Sequence, residues 1–378
     1  MRDIIGTLAE WQAVGERFAL ATVTSTSRSA PRPAGAALAL HPDGRIVGSV
    51  SGGCVEGAVV EVATEVLRTG VPQRCRYGIT DADAMAVGLT CGGTIEVLVR
   101  AVGDAPPLGD LRALVTADAP AALATVVEHA DRPDLVGAAV VVGPDGTSGD
   151  LAGDDGDRTE LDAAVVRAAR AAIAAGATGL RRLGGAGEEL GLDVGVLVEV
   201  FTPRPRMIVV GAADHADAVV RIGRFLGFHV TVCDPRARFA TAARFPDADL
   251  VVADWPHRVI EGADLDARAA ICVLTHDPKV DVPALRAALT GSAGYVGAMG
   301  SRRTHADRVE RLRATGLDTA ALERLRSPIG LDLGGRTPEE TAVAVAAELL
   351  QLRSGATGLP LRDLDGPLHA PSDLPSRT

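Results

Sequence analysis

Lysine is almost missing from this chain: of 38 cationic side chains only Lys279 is a lysine, and the others are arginines. Schiff-base chemistry is thereby confined to a single position. Aromatic residues are scarce at 3%, so the cores must be built from Ala, Val, Leu and Ile, which a hydrophobic fraction of 47% supplies. No apolar run approaches the roughly 20 residues needed to cross a bilayer. The opening MRDIIGTLAEWQAVGERF carries acidic residues and no signal-peptide core, so a cytoplasmic location is the expectation. The five cysteines are Cys54, Cys75, Cys91, Cys233 and Cys272, with no CxxC pair and no His-rich spacing. That pattern argues against a zinc site or a disulfide framework, and no metal site is expected. A net charge of −11 disfavours nucleic acid and anionic membranes as partners; an anionic ligand would need a local cationic pocket.

What is present is a duplication. A length of 378 residues suggests two or three domains. Within the first 201 residues, "FALATVTS…AGAALALHPDGRIVGSVSGG…EVATEVLRTG…GGTIEVLVR" is echoed by "AALATVVE…VGAAVVVGPDGTSGDLAGD…RAAIAAGATG…VGVLVEVFT". Gly35 matches Gly137, and the Pro-Asp-Gly turn at 42–44 recurs at 144–146. Each copy (about 1–102 and 118–201) reads as two strands joined by a hairpin turn, a third strand, a helix and a returning strand. The two copies are expected to form one pseudo-symmetric α/β domain or two abutting ones. Residues 202–206, TPRPR, read as a linker. From Met207 onward short apolar runs alternate with helical stretches, which predicts a Rossmann-like, doubly wound parallel sheet over 207–353. Its last helix, Pro338–Leu352, opens with Thr337-Pro338-Glu339-Glu340, a capping box with proline at the first helical position. Residues 354–378, rich in Gly, Pro, Ser and Asp, read as a loose tail.

Four segments could carry chemistry. Ser51, Gly52, Gly53 and Cys54 stand where a strand gives way to a helix. Amides at a helix start attract anions, glycines let a ligand approach, and a thiol there gains thiolate character. The alternative is a small buried thiol at a tight turn; the second copy, with Ala152-Gly153-Asp154-Asp155 at the matching turn, shifts weight toward function. Cys91, Gly92 and Gly93 form a similar element before a strand, also without a cysteine in the second copy. Gly300, Ser301, Arg302 and Arg303 end a strand and start a helix, where guanidinium forks suit a phosphate; the alternative is a surface cluster with Asp307 and Glu310. Finally, "VVGAADHADAVV" occupies the place of a dinucleotide fingerprint but keeps only Gly211 of its three glycines. Ala213 and Asp214 would crowd and repel a pyrophosphate, while Asp234 stands where an acid can accept ribose hydroxyls. NAD(P) is expected to bind poorly if at all. His276, in "VLTHDPK", could serve as a base in an NAD(P)-dependent oxidoreductase, the competing functional reading.

Taken together, "GSVSGGCVEG", "GLTCGGTIEV", "LTHDPK", "YVGAMGSRRTH" and "SPIGLDLGGRTPEETAVAVAAEL" resemble the XdhC/CoxI family over roughly residues 1–353. Members assist maturation of molybdenum hydroxylases such as xanthine dehydrogenase and aerobic carbon monoxide dehydrogenase. The resemblance implies a family-specific N-terminal domain, a C-terminal Rossmann-like domain, and transient binding of the molybdenum cofactor (molybdopterin) for protection during sulfuration and hand-over to an apo molybdenum hydroxylase. A cysteine desulfurase and a second copy of the chain are further candidate partners. Whether any catalysis occurs on the chain is left open. Many relatives carry a fuller glycine fingerprint where this chain has "GAADHA".

Overall fold

The computed structural model describes residues 1–27, 30–78, 93–103, 106–149, 151, 158–185, 187–188 and 191–365. Two compact units divide the chain, Met1–Pro203 and Arg204–Leu364.

The first unit is the duplication made physical. Copy one runs α1 (Ile5–Ala13), β1 (Phe18–Ser27), β2 (Ala37–Leu40), β3 (Ile46–Gly48), α2 (Glu56–Thr69), β4 (Gln73–Tyr77) and β5 (Thr94–Val102). Copy two repeats the order as α3 (Leu108–Thr116), β6 (Ala121–His129), β7 (Ala139–Val142), β8 (Thr147–Ser148), α4 (Arg158–Ala175), β9 (Gly179–Leu183) and β10 (Val194–Phe201). Each copy makes a five-stranded sheet with one shared plan, β3-β2-β1-β5-β4 and β8-β7-β6-β10-β9, in which the pairings are antiparallel. The Pro-Asp-Gly turns close β2 onto β3 and β7 onto β8, with Gly44 at φ +93° and Gly44 N–H donating to the His41 carbonyl at 2.9 Å.

The structure extends the expected repeat in two ways. Each copy begins with a helix, so α3 falls in the stretch between the two sequence copies. Each also inserts an edge strand, β4 or β9, before its returning strand.

Alternation along the strands sorts the layers. Ala19, Ala21 and Val23 of β1 pack with Val59, Ala63 and Val66 of α2. Ala122, Ala124 and Val126 of β6 pack with Leu161, Val165 and Ala169 of α4. The opposite faces meet each other: Phe18 and Leu20 with Leu123 and Phe201, and Leu98 with Val127 and Leu197. The unit is thus helix, sheet, sheet, helix, with α1 and α3 closing one side of the inner layer. Two ionisable residues lie in that layer at equivalent positions. Arg100 pairs across from Leu20 and Glu199 across from Leu123, and they are 4% and 3% exposed.

In the second unit six parallel strands take the order β13-β12-β11-β14-β15-β16. They are β11 (Arg206–Val210), β12 (His229–Cys233), β13 (Leu250–Val252), β14 (Ala270–Val273), β15 (Tyr295–Ala298) and β16 (Leu325–Arg326). Helices α5 (Asp214–Phe225) and α10 (Pro338–Ser354) cover one face. Helices α6 (Pro256–Glu261), α7 (Pro278–Thr290), α8 (Arg302–Ala314) and α9 (Thr319–Glu323) cover the other. This is the Rossmann-like doubly wound parallel sheet expected from the sequence, and the Thr337 capping box at α10 forms as read. Among the described residues no helix is long and apolar enough to cross a membrane.

Candidate functional site

The Ser51–Cys54 turn carries an anion of its own. Glu56, the first residue of α2, folds its carboxylate back into the turn. Its Oε1 accepts from Ser49 Oγ at 2.6 Å and Ser51 N–H at 2.9 Å, and its Oε2 accepts from Gly53 N–H at 2.8 Å. Longer bonds from the Val50 and Val55 amides complete the ring. Burial pushes this carboxyl up, but the two serine hydroxyls and the amides outweigh it and bring the pKa down to about 2. In this structure the amides of the turn donate to Glu56 and not to a ligand. The glycines remain open. Gly52 and Gly53 have φ +77° and +120°, and a side chain built on either would meet nothing within 4 Å. Cys54 is half-buried at the edge of the α2 core. Cys91 and Gly92 lie outside the described residues, as does the matching turn of copy two, 152–155; Gly93 is buried at the start of β5.

Removing Glu56 strips several charge-assisted bonds from one loop, each worth about 1.5–3 kcal/mol in a buried setting and less here because the group is partly exposed. Glu56→Ala should cost roughly 2–3 kcal/mol at pH 7 by denaturant unfolding. The folded carboxyl ionises below its unfolded counterpart, so the stabilisation is full above the unfolded value of 4.5 and fades as pH falls toward 2. The wild-type advantage over Glu56→Gln should shrink on going to about pH 3; an undiminished gap there would contradict this role.

In the second unit the sequence motifs collect at the carboxyl ends of the parallel strands. Gly211 follows β11 with φ +103°, and any Cβ there would run into Thr275 Cγ2. Asp234 follows β12 and is 1% exposed. Its Oδ2 accepts from Ala212 N–H at 2.8 Å and Arg236 Nη2 at 2.7 Å, and its Oδ1 accepts from the Arg236 amide and Nε, both at 2.9 Å. Burial raises its pKa, but Arg236 and the two amides more than offset that and hold it low. The acid that could have bound ribose hydroxyls is thus spent within the chain. Beside it, where the chain leaves β11 and β14 for helices on opposite faces of the sheet, lies a cavity of about 400 Å³ whose wall includes Asp234, Trp255, His276 and Lys279.

Arg302 and Arg303 occupy the first turn of α8, exposed, behind Ser301, whose Oγ caps the helix by accepting from Thr304 N–H at 3.1 Å. The alternative pairing with Asp307 and Glu310 is not formed: among the described residues neither arginine has an ion pair. The buried arginine of this helix is one that sequence reading passed over. Arg308 Nη2 donates to Asp281 Oδ2 at 3.1 Å and to the Met299 carbonyl at 2.8 Å, and Nη1 donates to Ser327 Oγ at 3.1 Å. Asp281 in turn accepts from Thr275 Oγ1. Burial raises the Asp281 pKa, with Thr275 and Arg308 opposing. One guanidinium thus ties together the strand end after β15, helix α7 and the segment after β16, and Asp281 extends the link to Thr275 after β14. Helical phase was the available signal, since Arg308 shares its stripe with buried Leu312. Among the described residues no group of three or more His, Cys, Asp or Glu could hold a metal.

A duplicated sheet-on-sheet unit followed by a Rossmann-type unit, with glycine-bearing turns at its strand ends, defines a two-domain class. Two family models match it: "XdhC and CoxI family" over residues 11–78 and 114–184, and "XdhC Rossmann domain" over 207–349. The chain belongs to the XdhC and CoxI family. It is 25% identical over 352 residues to the molybdenum cofactor insertion chaperone PaoD of Escherichia coli (strain K12), covering 93% of this chain and 88% of that one. It is 25% identical over 342 residues to a Bacillus subtilis (strain 168) protein named as a probable xanthine dehydrogenase subunit, covering 89% and 94%. A crystal structure described as a xanthine dehydrogenase from Bacillus halodurans superposes with a TM-score of 0.68 at 23% identity, over 96% of this chain and 98% of that one; that likeness concerns the fold.

Proposed function

We propose that this chain binds the molybdenum cofactor as cargo and delivers it to an apo molybdenum hydroxylase. The observation that carries the proposal is similarity along nearly the whole chain, 93% of it, to a relative named as a molybdenum cofactor insertion chaperone. The cargo has a phosphate, a pterin and dithiolene sulfurs, and the chain offers chemistry for each. Exposed Arg302 and Arg303 suit the phosphate. The Gly52-Gly53 turn has an open face with Cys54 beside it, suited to the sulfur-bearing end; Cys91, Gly92 and Gly93 are further candidate contacts. Asp234, already saturated by Arg236 and Ala212, weighs against an NAD(P)-dependent oxidoreductase.

The test is to purify the chain from cells supplied with molybdate, measure bound molybdenum and pterin, and assay activation of an apo hydroxylase. Cys54→Ser should fold normally and activate less. Arg302→Ala/Arg303→Ala should weaken retention about tenfold, as expected for loss of charge-assisted phosphate bonds, with the larger loss at low salt, where attraction is least screened. A wild-type chain that retains neither metal nor pterin and activates nothing would overturn the proposal.

A further inference from the structure

At the edge of the inner layer of the first unit a cavity of about 330 Å³ opens to solvent, with Met1, Arg2, Arg32, Gly35, Glu199 and Phe201 on its wall. Two polar atoms there are buried without a hydrogen-bond partner, Glu199 Oε1 and Arg32 Nε. A buried carboxylate left unbonded is costly, and native proteins rarely keep one without a reason. Here an orphan acceptor and an orphan donor share one cavity.

The duplication supplies an internal comparison. Arg100 holds the equivalent position in copy one, and its Nη1 donates to the Gly137 carbonyl at 2.9 Å. Glu199 sits against Gly35, the counterpart of Gly137, close enough that a Cβ on Gly35 would lie 3.5 Å from Glu199 Cγ. A carbonyl cannot donate to a carboxylate, so the arrangement that satisfies Arg100 cannot satisfy Glu199. The Met1 amino terminus lines the same cavity, but it donates to the Gly35 carbonyl at 2.9 Å and reaches Glu199 only through its charge, so Glu199 Oε1 is left with room for an N–H donor from a ligand.

The surroundings narrow the donor. A metal ion would be repelled by Arg2, Arg32 and the Met1 amino terminus on the same wall, and a simple anion would bring no donor to Glu199. The volume lies at the small end of ligand sites, which run from roughly 300 to 1,000 Å³, and Pro33, Ala34 and Phe201 give it apolar walls fit for a flat ring. Once ionised, as two adjacent N–H donors would favour, the Glu199 carboxylate oxygens are the complement of such a pair, and the Arg32 N–H would suit a ring nitrogen or carbonyl beyond them. We infer that this cavity recognises the amino–lactam edge of a 2-amino-4-oxo heterocycle, the edge shared by pterins and guanines, with Glu199 accepting from the ring N–H and the 2-amino group. This deepens the cofactor-delivery reading, and rests on it for taking the pterin rather than a guanine nucleotide as the source. The placement is consistent with that choice. Ser49 N–H donates to the Ala37 carbonyl at 2.9 Å, so the glycine–cysteine turn leaves the sheet at the end where residues 34–36 enter it.

The experiment is a fluorescence titration of the full chain with pterin, with lumazine (which carries a 2-oxo group in place of the 2-amino group) and, by competition, with GMP. Pterin should saturate, and lumazine should bind at least about tenfold more weakly, since a donor facing Glu199 becomes an acceptor. Glu199→Gln should weaken pterin and narrow its margin over lumazine. The pterin–lumazine pair on the wild-type chain decides the matter even if that variant folds poorly. Equal binding of the two, or saturation by neither, would overturn the inference. Tighter binding of GMP would support the edge and overturn the pterin as its source. Bound molybdenum, measured on the same preparation, separates the two claims. Cofactor retained without pterin–lumazine discrimination sinks this site alone; discrimination without retained cofactor sinks the delivery reading alone.

Discussion

Replacing Arg308 with alanine should destabilise the second unit by about 3–5 kcal/mol, the usual cost of removing one partner of a buried ion pair. The loss is large because Asp281 would remain, nearly as buried as the arginine it faced, and because the Met299 carbonyl and Ser327 hydroxyl lose a donor together. Arg308→Lys keeps a charge but not the fork that reaches three acceptors, and should recover only part of the loss. Adding Asp281→Ala to Arg308→Ala should restore stability relative to the single variant, because no uncompensated carboxylate is left inside. Denaturant unfolding read through Trp255 in a Trp11→Phe background isolates the second unit. A single-variant loss below about 1 kcal/mol would show Arg308 to behave as a surface charge.

Glu199→Gln should do the opposite, and only at high pH. Burial raises the Glu199 carboxyl from 4.5 to about 7, with the amino terminus and Arg100 pulling the other way. In the unfolded chain it ionises near 4.5, while in the folded chain it keeps its proton to about 7. Between those values the folded state binds more protons, so stability contributed by this group falls as pH rises through the window and is lost above it. At about 1.4 kcal/mol per pH unit, the full cost at pH 8 is roughly 3 kcal/mol. Glutamine has no charge to bury. The variant should therefore exceed the wild type by up to roughly 3 kcal/mol at pH 8 and match it near pH 4.5, as read by unfolding followed through Trp11. A difference that does not change with pH would refute the assignment. A gain in stability alongside a loss of pterin binding is the trade expected where a strained polar group is kept for a ligand.

Much of this architecture is legible in the sequence. The parallel sheet announced itself because strands buried on both faces are uninterrupted apolar runs, as in "RMIVV" and "AICV". The repeat was visible in its Pro-Asp-Gly turns and glycines, which are set by local backbone geometry. Strands β4 and β9 were not visible: "QRCRY" and "GLRRL" are edge strands dominated by arginines, with too few apolar residues to mark a strand. The turn at Cys54 was located but its electrostatics were not. A sequence shows amides that want an acceptor, not that the glutamate two residues on will curl back to serve them. Glu199 was hidden differently. In "VGVLVEVF" both faces are buried, so alternation does not tell which sheet or helix covers the acid. Only the stacking of the two copies does.

That stacking has a consequence for how charge can be placed. Two equivalent sheets packed face to face relate Arg100 and Glu199 by an approximate two-fold axis. If separate identical chains built the same layer, symmetry would force one residue type on both positions, and like charges would share a dry interior. A single chain that contains both halves is exempt from that constraint. It sets a cation at one position and an acid at the other, lets the first be satisfied by a backbone carbonyl, and leaves the second unanswered. The asymmetry that sets Arg100 and Glu199 apart in a two-fold scaffold is here written into the covalent continuity of the chain.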